Sequence, residues 1–142
     1  NFNGVVLFAA DDGISGRELW GSNGTASGTI LVKDIQPGPT GSNPTVLTRV
    51  GGSVVFAAND GAHGNEVWLT VGTENGTRLM SEIEPGAGSS DPTEIFQSGS
   101  KVLVATSGPR YQVAGFQMTP PDGPFTGLGS WYATYLFAFI FR

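Results

Sequence analysis

Two tracts of the chain align with one another without a gap. Residues 4–50 read GVVLFAADDGISGRELWGSNGTASGTILVKDIQPGPTGSNPTVLTRV, and residues 52–98 read GSVVFAANDGAHGNEVWLTVGTENGTRLMSEIEPGAGSSDPTEIFQS. Phe8 corresponds to Phe56, Trp20 to Trp68, Gly28 to Gly76 and Pro37 to Pro85, each pair 48 residues apart. A fixed period of this size marks a repeat architecture, in which each unit buries its apolar face only against its neighbours. A residue kept in both copies is explained first by the blueprint of the unit. Such a residue is a poor candidate for a unique catalytic group.

Each copy contains four short apolar or β-rich runs separated by turn chemistry. In the first copy these are 5–10 (VVLFAA), 18–20, 29–35 (TILVKDI) and 45–50. The turn DDGISG follows the first run, Asn23-Gly24 the second, and a Pro- and Gly-rich stretch, 36–44, the third. Gly51-Gly52 is a hairpin turn into the next copy. No extended window carries the 3.6-residue period of an amphipathic helix. The spacing predicts an all-β fold of four-stranded antiparallel blades of about 48 residues, a partial β-propeller-like array. In it, 45–50 and 93–97 are the innermost strands that open the next blade. A β-solenoid is the rival, with shorter coils and no need for the Gly-Gly hairpin.

A third copy begins and decays. VLVAT at 102–106 matches 54–58, and Phe116 stands where the period places a tryptophan. Asp122-Gly123 and Gly127 keep the pattern only after a three-residue insertion, and beyond them it is lost. The expected organisation is unit 1 at 1–50, unit 2 at 51–98, a degenerate unit 3 at 99–127, and an aromatic strand or tail at 128–142. The chain opens without Met, almost directly on a strand, which reads as a piece of a longer protein.

Charge narrows the function classes. Residues 1–98 hold four basic side chains against eleven acidic ones, and the whole chain carries −5. An acidic body without a basic stripe argues against nucleic acid, whose binding rests on phosphate neutralisation. It argues equally against docking on anionic membranes. The absence of cysteine excludes disulfides, thiolate metal sites and a cysteine nucleophile.

The stretch GRELWGSNGTASGTILVKDIQPGPTGSNP, residues 16–44, resembles the ELWxxDGT repeat of large extracellular bacterial proteins. That family's pattern is roughly GxELWxSDGTxxGTxLVKDIxPGxxGSxP. The first copy departs at Asn23, where the family prefers Asp; the second has Val67 for Leu, Val71 for Asp and Met80-Ser81 for Val-Lys. The resemblance covers residues 1–98 well and 99–127 weakly. It implies tandem propeller-like repeats in secreted or surface proteins, and carries over no catalytic residues.

Several constellations invite a chemical reading, each beside a plainer one. Asp11, Asp12 and Glu18, with Asp60 and Glu66 in the second copy, offer hard oxygen ligands among glycines, which suits Ca2+. The plainer reading is an Asx turn capping backbone N–H groups, with the glutamate closing a local hydrogen bond. Trp20 and Trp68 offer flat faces for sugar stacking, or pack between neighbouring sheets. Glu18 and Glu66 contain the two carboxylates of a glycosidase but lie on middle strands, and enzyme sites are normally asymmetric. His63, the sole histidine, has no recognisable triad partners and reads as a surface turn residue. Asn23-Gly24-Thr25 and Asn75-Gly76-Thr77 match the glycosylation sequon, at turns that want Asn-Gly for their own geometry. The tail at 131–141 (WYATYLFAFIF) is too short for a spanning helix and places aromatics at period 2. It reads as a closing strand, a pairing segment, the start of a membrane segment or an out-of-frame end.

The expectation is therefore a non-enzymatic extracellular or cell-surface repeat module: a structural scaffold or adhesion surface, self-assembling with other copies or completed by further repeats. The alternative is a lectin-like propeller with one glycan site per repeat. About three units fall short of the four to eight blades of a propeller. The remainder is expected from further sequence or from other copies of the chain, which head-to-tail association would bring.

Overall fold

The computed structural model describes residues 2, 4–99, 101–108 and 113–117, the last group for its backbone alone. The tail at 128–142, with Asp122, Gly123 and Gly127, lies outside the described residues. The described chain is all-β: β1 (Val6–Asp11), β2 (Arg17–Ser22), β3 (Thr29–Lys33), β4 (Thr45–Val50), β5 (Ser53–Asn59), β6 (Asn65–Thr70), β7 (Arg78–Ser81), β8 (Pro92–Ser98), β9 (Lys101–Thr106) and β10 (Val113–Gln117). They form three antiparallel meanders, β1-β2-β3, β4-β5-β6-β7 and β8-β9-β10. Among the described residues these sheets close neither a barrel nor a propeller ring.

Strands β1, β2 and β3 share their register with β5, β6 and β7. Phe8 lies opposite Trp20 as Phe56 lies opposite Trp68, and Trp20 opposite Leu31 as Trp68 opposite Leu79. A bulge follows Leu19 and, again, Val67. The strand that ends a sequence unit opens the next sheet: β4 pairs with β5, and β8 with β9.

The period of two sorts side chains onto two faces, and the sheets stack through them. Phe56, Ala58 and Trp68, joined by Leu79, form the front face of the second sheet. They pack against Leu7, Leu19, Val32 and Ile35 on the back of the first. Val50, Val55, Val67 and Leu69 form the back of the second sheet and meet Ile95, Val102 and Val104 on the front of the third. Because both its faces are covered, β5 reads as an unbroken apolar run in sequence and is buried from Ser53 to Ala58.

The third run of each copy is shorter than its sequence suggests. Apolar character continues to Ile35, yet β3 ends at Lys33, and β7 likewise ends at Ser81. A buried carboxylate recruits the following backbone N–H groups before they can extend the ladder. The third sheet departs further. The 48-residue offset places Phe116 opposite Val104, but Phe116 pairs with Val102, a slip of two residues. The connecting tract 107–112 has no Asp or Asn to fix the turn as Asp12 and Asp60 do.

Candidate functional site

One buried glutamate per sheet gathers backbone N–H groups and the repeated serine of the loop downstream. Glu18, on β2, is fully buried. Its Oε1 accepts the backbone N–H groups of Gln36 (3.0 Å) and Ser42 (2.7 Å). Its Oε2 accepts the N–H of Ile35 (3.1 Å) and the hydroxyl of Ser42 (2.5 Å). Glu66, also fully buried, repeats the set. Its Oε1 accepts from Glu84 N–H (3.1 Å) and Ser90 N–H (3.0 Å), and its Oε2 from Ile83 N–H and the Ser90 hydroxyl, both at 2.8 Å. Each carboxylate thus takes four hydrogen bonds, its full acceptor capacity. Burial pushes the Glu66 carboxyl above its ordinary range, and the four hydrogen bonds pull the other way.

The hydrogen bonds run to residues 17–24 positions downstream, so the local contact expected for these glutamates is replaced by a long one. They tie the Pro-Gly-rich loop back onto the middle strand. Backbone contact reinforces the tie, with Asn43 N–H donating to the Arg17 carbonyl (2.9 Å) and Asp91 N–H to that of Asn65 (3.2 Å). Asn43 and Asp91 occupy the left-handed region (φ 51° and 48°), which their short polar side chains tolerate. The loop also reaches the next sheet, where Asn59 N–H donates to the Ser42 carbonyl (3.0 Å). Gly16 and Gly64 allow the loop to lie this close. A Cβ on Gly64 would stand 2.0 Å from the Gly88 carbonyl oxygen, and one on Gly16 would stand 2.6 Å from Gly41 N.

The acidic turns hold themselves. Asp11 accepts the N–H of Gly13 (2.7 Å), and Asp12 those of Ile14 (2.9 Å) and Ser15 (2.7 Å). Asn59 and Asp60 do the same for Gly61, Ala62 and His63. The N–H groups of Ser15 and Ile14 hold the exposed Asp12 carboxyl below its usual value. Burial raises that of Asp60, but the hydrogen bonds from the His63 ring and backbone outweigh it and leave it lowered. The His63 ring, 2.7 Å from Asp60 Oδ2, is raised in return by that hydrogen bond and by the aspartate charge.

The calcium ligands expected in the two copies are Asp11, Asp12 and Glu18 in the first, and Asp60 and Glu66 in the second. No group of three or more His, Cys, Asp or Glu among the described residues is arranged to hold a metal. Glu18 and Glu66 are withdrawn from such a role because both oxygens are saturated by donors.

The two tryptophans part company. Trp68 is 6% exposed and sits inside the interface between the first two sheets, so its ring faces are closed to a sugar. Trp20 is half-buried, on the front face of the first sheet, which no described element covers. The same contrast holds along the strands: Val6 is 52% exposed, and its counterpart Val54 5%. This face, with half-buried Phe8, Trp20 and Leu31 beside the exposed Val6, is not evident from the residues alone, although the period predicts it once the faces of the second sheet are known. Nε1 of Trp20 and Nε1 of Trp68 are buried without a hydrogen-bond partner in the structure. Comparison with protein-family models, with curated proteins and with solved structures finds no match to the chain.

Proposed function

We propose that the chain is a non-enzymatic interaction module: a run of stacked, blade-like sheets of a β-propeller type, serving as a structural scaffold or adhesion surface outside the cell. The observation that carries this reading is the saturation of Glu18 and Glu66. These are the fully buried carboxylates of the repeat, and both are consumed in holding loops to strands. The exposed Asp11 and Asp12 are consumed in the same way by their own turn. A repeat unit whose polar residues brace its own backbone supports a role in presenting surfaces. The extracellular setting and the propeller-blade assignment rest on the resemblance of residues 16–44 to the ELWxxDGT repeat, and the acidic body favours protein or glycan partners over nucleic acid.

The test is a turnover assay of the purified chain on polysaccharide and glycoside substrates, run beside Glu18→Gln and Glu66→Gln. No turnover in any of the three is expected. Turnover by the parent chain that either substitution removes without loss of fold would overturn the reading. A second reading, carbohydrate binding, is favoured by the half-buried Trp20 ring on an open face. It predicts glycan-array binding that Trp20→Ala removes while the melting temperature holds.

A further inference from the structure

The front face of the first sheet is built for an occupant that the structure displays one period later. Phe56, Trp68 and Leu79 on the second sheet are covered by the back of the first, through Leu7, Leu19, Val32 and Ile35. Phe8, Trp20 and Leu31 are the same residue types in the same register, each 48 positions earlier. They are half-buried where Phe56 and Trp68 are enclosed, and Val6 beside them is 52% exposed where Val54 is 5%. At the other end of the stack, the back of the third sheet presents Phe96, 41% exposed and paired with a half-buried Leu103. On the second sheet the equivalent back face, with Val55 opposite Thr48, is the one that packs against the third. The two open faces are therefore the two halves of an interface that the chain already makes with itself, once between sheets one and two and once between sheets two and three.

We propose that a second copy of this chain docks its third sheet, through Phe96 and Leu103, onto the front face of the first sheet, through Val6, Phe8, Trp20 and Leu31. The contact continues the internal stacking. It is heterologous, with different patches meeting, so repeated addition closes a ring or extends a fibre according to the rotation per step. β1 is also an edge strand in the described structure, because no strand occupies the place that β4 takes beside β5. The proposal rests on the reading of the chain as an interaction module and deepens it by naming the partner and the faces.

The experiment is sedimentation velocity of the 142-residue chain over a concentration series up to about 1 mM, the weak limit of specific association. It is run on the parent chain, on Val6→Lys and on Phe96→Lys. Both changes are at exposed positions, and unchanged circular dichroism and melting verify the fold. Concentration-dependent association of the parent is expected, weakened at least tenfold by either substitution. Mixing the two variants restores a 1:1 complex that grows no further, because one retains an intact back face and the other an intact front face. A parent chain that stays monomeric overturns the proposal. So does association that survives both substitutions, as contact through another segment would, or a mixture that fails to form the 1:1 complex. None of these readouts depends on turnover or glycan binding, so this proposal and the scaffold reading fail separately.

Discussion

Glu66→Gln tests the central structural claim most directly. The substitution keeps the shape of the side chain and replaces one acceptor oxygen by an NH2 group. The least damaging orientation leaves the amide oxygen facing the N–H groups of Glu84 and Ser90, and turns the amide nitrogen toward Ile83 N–H and the Ser90 hydroxyl. The hydroxyl can rotate and accept; the backbone N–H of Ile83 cannot. Two buried donors are left unsatisfied, the Ile83 N–H and the amide N–H that faces it, at about 1–3 kcal/mol each, and the two surviving backbone hydrogen bonds lose their charge assistance, at about 0.5–1 kcal/mol each. Relief of carboxylate burial offsets part of this, leaving a net loss of about 3 kcal/mol. For a domain of this size that lowers the melting temperature by roughly 10 °C. Equilibrium urea unfolding and calorimetry supply the number, with Glu74→Gln, on an exposed turn, as the control. Hydrogen exchange supplies the location, since the amides of Ile83, Glu84 and Ser90 should lose protection together. A change no larger than that of the control, or unchanged protection at those three amides, would refute the reasoning.

Other expectations follow from the same structure. Gly64→Ala should cost more than about 2 kcal/mol, because φ is 70° and a Cβ meets the Gly88 carbonyl; Gly13→Ala, at φ 80° with open space, should cost only about 1 kcal/mol of backbone strain. Thermal melts of the two variants decide the order. Trp68→Ala should remove about 3–5 kcal/mol from the core between the sheets, and Trp20→Ala clearly less, unless an associating copy covers it. The His63–Asp60 pair gives a pH signature. The raised His63 adds stability that is full below about 6.5 and lost as pH rises through its folded value, while the lowered Asp60 adds stability that is full above about 3.8 and lost as pH falls through its own. The difference in melting temperature between the parent and His63→Ser should therefore be largest near pH 5 and shrink above neutrality. A flat difference would show that the ring contributes nothing through its charge. Calcium or EDTA should leave the melting temperature unchanged, since the acidic residues converge on backbone donors.

The unit itself was legible in the residues. The 48-residue period, the Gly-Gly hairpin and the apolar runs identified the strands and even the handing-on of 45–50 to the next sheet, because hairpin turns and period-two patterning are local properties of sequence. The Asx turns at Asp12 and Asp60 were legible for the same reason. The role of Glu18 and Glu66 was not, since their partners lie 17–24 residues away and are mostly backbone N–H groups, which every residue carries and no pattern distinguishes. The early ends of β3 and β7 were missed for that same reason.

Sequence alone determined that this chain is a tandem β repeat and where its turns fall, because those follow from residue type and spacing over a few positions. Only the tertiary structure decided which copy of each repeated residue is used up. Trp68 is enclosed and Trp20 only half-buried, though their local sequences are alike, because burial depends on which sheet lies alongside. A repeat makes identical faces, and among the described residues stacking leaves one face at each end without a neighbouring sheet.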